Sequence, residues 1–168
     1  MRNVDLNAEH PLAKLVAEKS DVVQLVKVTS ADKEDNLAAA QVVKEKYGKV
    51  YVIIANAGKL GPLDTRELLT NRAGVSSGQQ PIRTVTVDTI QADFTINTIG
   101  PLVLFQSFAP LLESSKIAKF VVISSMLGQV TESQPWPHNA YGLSKAAVNF
   151  VAKKIDQETE HVISFPIQ

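Results

Sequence analysis

A chain of 168 residues, 45% of them hydrophobic, is the size of one globular domain with a single packed core, which argues against two domains. Its 17 basic and 17 acidic side chains cancel without gathering into blocks, so the charge pattern offers nothing to nucleic acid or to an anionic membrane. The absence of cysteine excludes disulfides and thiolate metal sites, and His10, His138 and His161 have no metal-ligand spacing.

Residues 1–10 carry charges and asparagines and run into Pro11, without the apolar centre of a signal peptide. The longest apolar runs, residues 50–55 and 120–123, fall far short of the roughly 20 residues a membrane-spanning helix needs. The expectation is a soluble, cytoplasmic protein with no membrane partner.

In chain order, short β-branched runs alternate with longer helical patterns, the mark of parallel strands joined by crossover helices. Residues 22–28 read as a strand. Ser30 or Asp32 can cap a helix running through Leu37, Ala40 and Val43 to about Tyr47, where Gly48 supplies a stop. Residues 50–55 form a second strand, apolar on both faces. Residues 59–87 dissolve into a Gly-, Ser- and Gln-rich stretch longer than compact domains usually tolerate without secondary structure, which reads as a flexible insertion. A helical stretch then runs from about Thr89 to Leu112, interrupted at Gly100-Pro101. Residues 120–124 make a third strand, residues 141–158 a helix and residues 162–165 a fourth strand. The whole reads as one α/β domain.

Chemistry concentrates at Tyr141-Gly142-Leu143-Ser144-Lys145. A Tyr and a Lys four apart share one face of a helix, and a neighbouring ammonium favours a phenolate and lowers its pKa. Such a pair can exchange a proton with a carbonyl or alcohol, although the same spacing also occurs on solvated surface helices. Ser125 follows a strand directly, where ligands bind beyond the carboxyl ends of a parallel sheet. It can donate to a developing alkoxide or simply satisfy turn backbone. Asn56-Ala57-Gly58 stands in the same relation to the strand 50–55. Asn97 lies inside an apolar helix and needs a partner there, either backbone at a helix irregularity or a water.

Asn-Ala-Gly after a strand, Asn97 in the next long helix, Ser-x-x-Gly at 125–128 and Tyr-x-x-x-Lys at 141–145, in that order, resemble the short-chain dehydrogenase/reductase family. The resemblance spans residues 22–165, and the wording at 98–101 and 141–149 is most similar to fungal ketoreductases of the norsolorinic acid reductase type. It implies a Rossmann-like doubly wound parallel sheet. It implies Tyr141 as acid/base, Lys145 lowering its pKa and holding the nicotinamide ribose, Ser125 orienting the substrate oxygen and Asn97 positioning a water. Asn56 would stabilise the sheet beside the cofactor. The expected cofactor is NADP or NAD, with NADP favoured, and the expected substrate a small carbonyl compound or secondary alcohol. A homo-oligomer through helices 89–112 and 141–158 is also implied.

Three departures qualify that likeness. The family's glycine-rich Thr-Gly-x-x-x-Gly-x-Gly turn, which cradles the pyrophosphate, has no counterpart among the eight glycines. Residues 11–20 resemble only the tail of the region between the second and third family strands, so strands 1 and 2 are expected to be missing and the sheet incomplete. No Asp stands at residues 27–30, where the family commonly contacts adenine, and the chain stops at Gln168 before the family's substrate lid. The sequence therefore carries two expectations: an NAD(P)-dependent oxidoreductase, or a truncated, catalytically silent remnant serving as a pairing module.

Overall fold

The computed structural model describes residues 11–58, 79–133 and 135–168. Its centre is a three-stranded parallel sheet in the order β1-β2-β3, built from β1 (Val52–Ala55), β2 (Ala118–Ile123) and β3 (Val162–Ile167). The register aligns Ile53 with Phe120 and Phe120 with Ser164, so alternate residues of all three strands share a face. This is the α/β, Rossmann-like sheet expected from the sequence, in an incomplete form.

Helices α2 (Lys33–Tyr47), α4 (Gly100–Glu113) and α5 (Asn139–Glu158) supply the core. Ala55, Ala118, Phe120, Val122 and Val162 on one sheet face pack with Leu112 of α4 and with Val148, Ala152 and Ile155 of α5. Ala39 and Ala40 of α2 meet Phe108 and Leu111 of α4 in a second cluster. The ends of α2 follow their sequence signals. The Asp32 side chain accepts from the Asp35 N–H at 2.9 Å, and Gly48 closes the helix in the left-handed region at φ 73°.

The long helical stretch begins two residues earlier than expected, at α3 (Val87–Phe94), capped by the Thr86 hydroxyl. Gly100-Pro101 does not interrupt it. Instead the backbone widens into a π-helical turn, Thr95–Ile99, and the Gly100 N–H bonds back to Thr95 O. Pro101 lacks an N–H, and its ring would press on the carbonyl one turn earlier, so widening the turn lets the helix continue. The resulting rod, Val87–Glu113, spans 27 residues and is long and apolar enough, by length and composition alone, to cross a membrane. Phe108, Leu111 and Leu112 of this rod are buried in the core, whereas Val87 and Ile99 are exposed.

Residues 22–28 are not a strand. A strand needs a ladder partner, and among the described residues the sheet ends at β1. The segment is held by α2 instead: Val26 packs on the Ala39–Ala40 cluster, Lys27 pairs with Asp35 at 3.0 Å, and Tyr47 Oη donates to Gln24 Oε1 at 3.4 Å. A short helix, α1 (Pro11–Glu18), precedes it. Most of the expected insertion, residues 59–78, lies outside the described residues. Its far end is anchored by a bridge between Gln80 and His138 and by Asn139 Nδ2 donating to Gln80 O at 2.8 Å.

Candidate active site

The carboxyl end of β2 delivers Ser124 and Ser125, and a 3-10 turn, Met126–Gly128, then presses against the start of α5. Two glycines make that approach possible. A β-carbon on Gly128 would lie 2.7 Å from the Lys145 carbonyl carbon, and one on Gly142 would lie 2.8 Å from Leu127 O. Asn149 braces the same turn: its Oδ1 accepts from Ser124 Oγ at 2.5 Å, and its Nδ2 donates to Gly128 O at 3.4 Å. Ser125 itself caps the turn, its Oγ accepting from the Leu127 N–H at 3.2 Å.

This packing brings the Ser125 hydroxyl near enough to the Tyr141 phenol to act on its pKa. Lys145 follows one helical turn later, its Nζ 5.5 Å from the Tyr141 ring centroid and buried, donating to Ile123 O at 2.6 Å. Asn97 sits on the π-helical turn, 1% exposed, where its Nδ2 donates to Ser144 Oγ at 2.9 Å. Thr98 adds a second tie, its Oγ1 donating to Ser144 O at 2.8 Å. The irregular turn and the Ser144 linkage therefore carry Asn97 onto α5 beside the Tyr-Lys pair. Gly58, after β1, joins the cluster: a β-carbon there would lie 3.6 Å from Asn97 Oδ1 and 3.7 Å from Lys145 Nζ. Tyr141, Lys145, Ser125 and Asn97 are thus gathered into one place. Asn56 stands apart from them, exposed at the end of β1.

The electrostatics differ from the simple expectation of an ammonium lowering a phenol. Burial raises the Tyr141 pKa above its ordinary value, the Ser125 hydrogen bond opposes that, and the charge of Asp93 adds to the rise. Burial also lowers the Lys145 pKa. The phenol is therefore held in its protonated form, which is the form that can donate.

Sequence reasoning passed over Asp93, Ser144, Gly128 and Gly142. Asp93 stands one turn before Asn97 and is 1% exposed, so a buried carboxylate at that spacing in an apolar helix was the available signal. The two glycines carried no signal beyond their place in Ser-x-x-Gly and Tyr-Gly.

A cavity of about 270 Å³ opens where β1 ends, lined by Val28, Ser30, Asn36, Asn56, Ala57 and Pro101 among others. Asn36 donates through Nδ2 to Thr29 O at 2.9 Å and Asp32 O at 2.6 Å, while its Oδ1 is buried without a hydrogen-bond partner. A buried acceptor in a cavity wall suits a ligand with an N–H or O–H donor. The missing β-carbon at Gly58 likewise leaves room beside Lys145 Nζ. These residues fit the nucleoside and ribose parts of a dinucleotide, but the described residues contain no glycine-rich turn for its phosphates.

Comparison with known proteins agrees with this geometry. The short chain dehydrogenase family matches residues 2–164. Norsolorinic acid ketoreductase of Aspergillus parasiticus is 30% identical over 173 residues, an overlap covering 99% of this chain and 58% of that protein. The (+)-neomenthol dehydrogenase of Arabidopsis thaliana is 29% identical over 136 residues, covering 80% of this chain and 45% of that protein. Among solved structures, a short chain dehydrogenase/reductase from Saccharomyces cerevisiae superposes with a TM-score of 0.74 at 23% identity, covering 95% of this chain and 55% of that one. NADPH-bound carbonyl reductase from chicken fatty liver gives 0.71 at 23% identity, covering 90% and 60%. The chain thus spans about half the length of such relatives, and it belongs to the short chain dehydrogenase family.

Proposed function

We propose that the site interconverts a ketone and a secondary alcohol with a nicotinamide cofactor. The observation that carries this is the gathering of Ser125, Tyr141 and Lys145 at the carboxyl end of β2: Gly128 holds the turn after Ser125 against α5, and Lys145 Nζ lies 5.5 Å from the Tyr141 ring centroid. A substrate oxygen placed between the two hydroxyls accepts a hydrogen bond from each. As negative charge develops on that oxygen, Ser125 stabilises it and Tyr141 transfers its proton. The Lys145 cation stabilises the phenolate left behind. Asn97 lines the route by which a water restores that proton. A bound nicotinamide supplies or accepts the hydride.

Lys145 would hold the nicotinamide ribose, and Asn56, Ser30 and Asn36 Oδ1 the nucleoside end. NADP is the favoured form, a preference supported by the NADPH-bound carbonyl reductase that shares the fold. Fungal ketoreductase relatives support a ketone substrate. We also place a homo-oligomer contact on α4 and α5. There Phe150, 67% exposed, borders a cavity of about 330 Å³ with Leu102, Phe105 and Val151.

One observation favours a second reading. With no glycine-rich turn among its eight glycines, the chain lacks the family's phosphate cradle and would act as a silent pairing module. Incubating the chain with NADPH and a panel of aromatic and alicyclic ketones separates the two. Consumption of NADPH that Tyr141→Phe abolishes supports the enzyme, and none above background supports the module.

A further inference from the structure

Helix α5 carries a row of polar side chains one turn apart, Tyr141, Lys145 and Asn149, and the last two both reach the end of β2. Lys145 Nζ donates to Ile123 O at 2.6 Å, and Asn149 meets the next residue, its Oδ1 accepting from Ser124 Oγ at 2.5 Å. The other end of the same amide, Nδ2, donates to Gly128 O at 3.4 Å. Asn149 therefore holds residues on both sides of Ser125.

Those two points are themselves fixed. The Ser124 N–H donates to Ile167 O at 2.7 Å, which ties it to the sheet, and the Gly128 N–H returns to Ser125 O at 2.9 Å. Bonds thus run from Asn149 through Gly128 to Ser125 on one side and from Asn149 to Ser124 on the other. Ser124 and Gly128 are both buried, so water does not replace either bond freely. At this side-chain length, an amide alone offers an acceptor to a hydroxyl and a donor to a carbonyl while staying neutral. A carboxylate would set a charge against Gly128 O, and a leucine would fill the same space and bond to neither.

We propose that Asn149 is a positioning residue, which by holding Ser124 and Gly128 sets the place of the Ser125 hydroxyl against Tyr141 and Lys145. The proposal rests on the reading of this site as one that interconverts a ketone and an alcohol, and it adds a residue that acts through Ser125.

Spectroscopic titration of Tyr141 tests this without any turnover. Ser125 opposes the burial that raises this phenol's pKa, so a hydroxyl displaced from it should let the pKa climb. The phenolate absorbance of each protein is measured against its Tyr141→Phe partner. Asn149→Leu is expected to move the Tyr141 curve upward, as Ser125→Ala does, and to move it no further when the two are combined. Ser124→Ala, which removes one of the two bonds, should give a smaller upward shift, and it decides alone if circular dichroism finds Asn149→Leu unfolded. Val148→Ala, a core change on the same helix, should lower the urea midpoint and leave the Tyr141 curve in place. With NADPH and a ketone, kcat should fall by about 10–100-fold in Asn149→Leu while KM for NADPH stays unchanged. A wild-type chain that reduces no ketone would count against the catalytic reading and leave the titration to judge this one. A Tyr141 curve unmoved by Asn149→Leu, a shift that persists in full on top of Ser125→Ala, or an equal shift in Val148→Ala would overturn the proposal.

Discussion

Gly128 lies against the backbone of Lys145 so closely that a β-carbon on it would stand 2.7 Å from the Lys145 carbonyl carbon and 2.9 Å from the Ala146 nitrogen. Both obstacles are helix backbone, which cannot swing aside. The contact fixes the distance between the end of β2 and the start of α5, and with it the meeting of Ser125 and Tyr141.

Gly128→Ala is therefore expected to destabilise the fold by about 1–3 kcal/mol, the usual cost of forcing a methyl group into packed surroundings. It should also separate Ser125 from Tyr141. Urea unfolding measures the first effect. A midpoint equal to wild type would show that the turn and the helix do not touch as described.

The Tyr141 phenol should titrate above its ordinary value of 10.0, because burial and Asp93 together outweigh the Ser125 hydrogen bond. The chain has three tyrosines, so subtracting the phenolate absorbance curve of Tyr141→Phe from that of wild type isolates this one. A difference curve centred at or below 10 would contradict the burial of the ring.

Burial lowers the folded-state pKa of Lys145 below 10.5, so between the lowered value and 10.5 the unfolded chain binds more protons than the folded one. Stability contributed by this group then rises with pH across that window, and the penalty is fully present below it. Tyr141 acts in the opposite sense above pH 10, where its raised pKa makes folding less favourable as pH climbs. Denaturant midpoints of wild type and Lys145→Met, compared from neutral pH to the lysine range, should converge or cross as pH rises. A constant offset would mean that Lys145 is solvated.

Asn97→Ala removes a buried amide whose Nδ2 bonds Ser144 Oγ, and should cost about 1 kcal/mol, because Ser144 Oγ keeps its bond to Tyr141 O. Thr98→Val removes the neighbouring bond to Ser144 O. The two act on one residue of α5, so a double-mutant cycle should show coupling, and simple additivity would indicate that the π-helical turn and α5 are not joined there.

The sequence made the periodic elements legible because their signals are local. The Asp32 cap, the Gly48 stop and the apolar run of β1 each act within a few residues. The strand expected at 22–28 failed because β-branched composition expresses fitness for a sheet, whereas a strand exists only beside a partner. The π-helical turn arises from Pro101 inside a helix that its surroundings keep intact, an outcome that propensity alone reads as a break. At the site, the order of the motifs pointed to Ser125, Tyr141, Lys145 and Asn97 as neighbours, whereas Asn56 stands apart from them. The direction of the Tyr141 pKa was predicted the wrong way, as a lowering by Lys145, since desolvation depends on what folds over the ring. The approach of Gly128 to α5 was equally hidden, because nothing near Gly128 in the chain reports it.

The central claim is that Tyr141, Ser125 and Lys145 form one nicotinamide site, and a fluorescence titration of NADPH into the purified chain tests it most directly. Saturable binding is predicted, weakened in Lys145→Ala and retained in Ser125→Ala. No saturation at millimolar NADPH, or identical binding by wild type and Lys145→Ala, would contradict it.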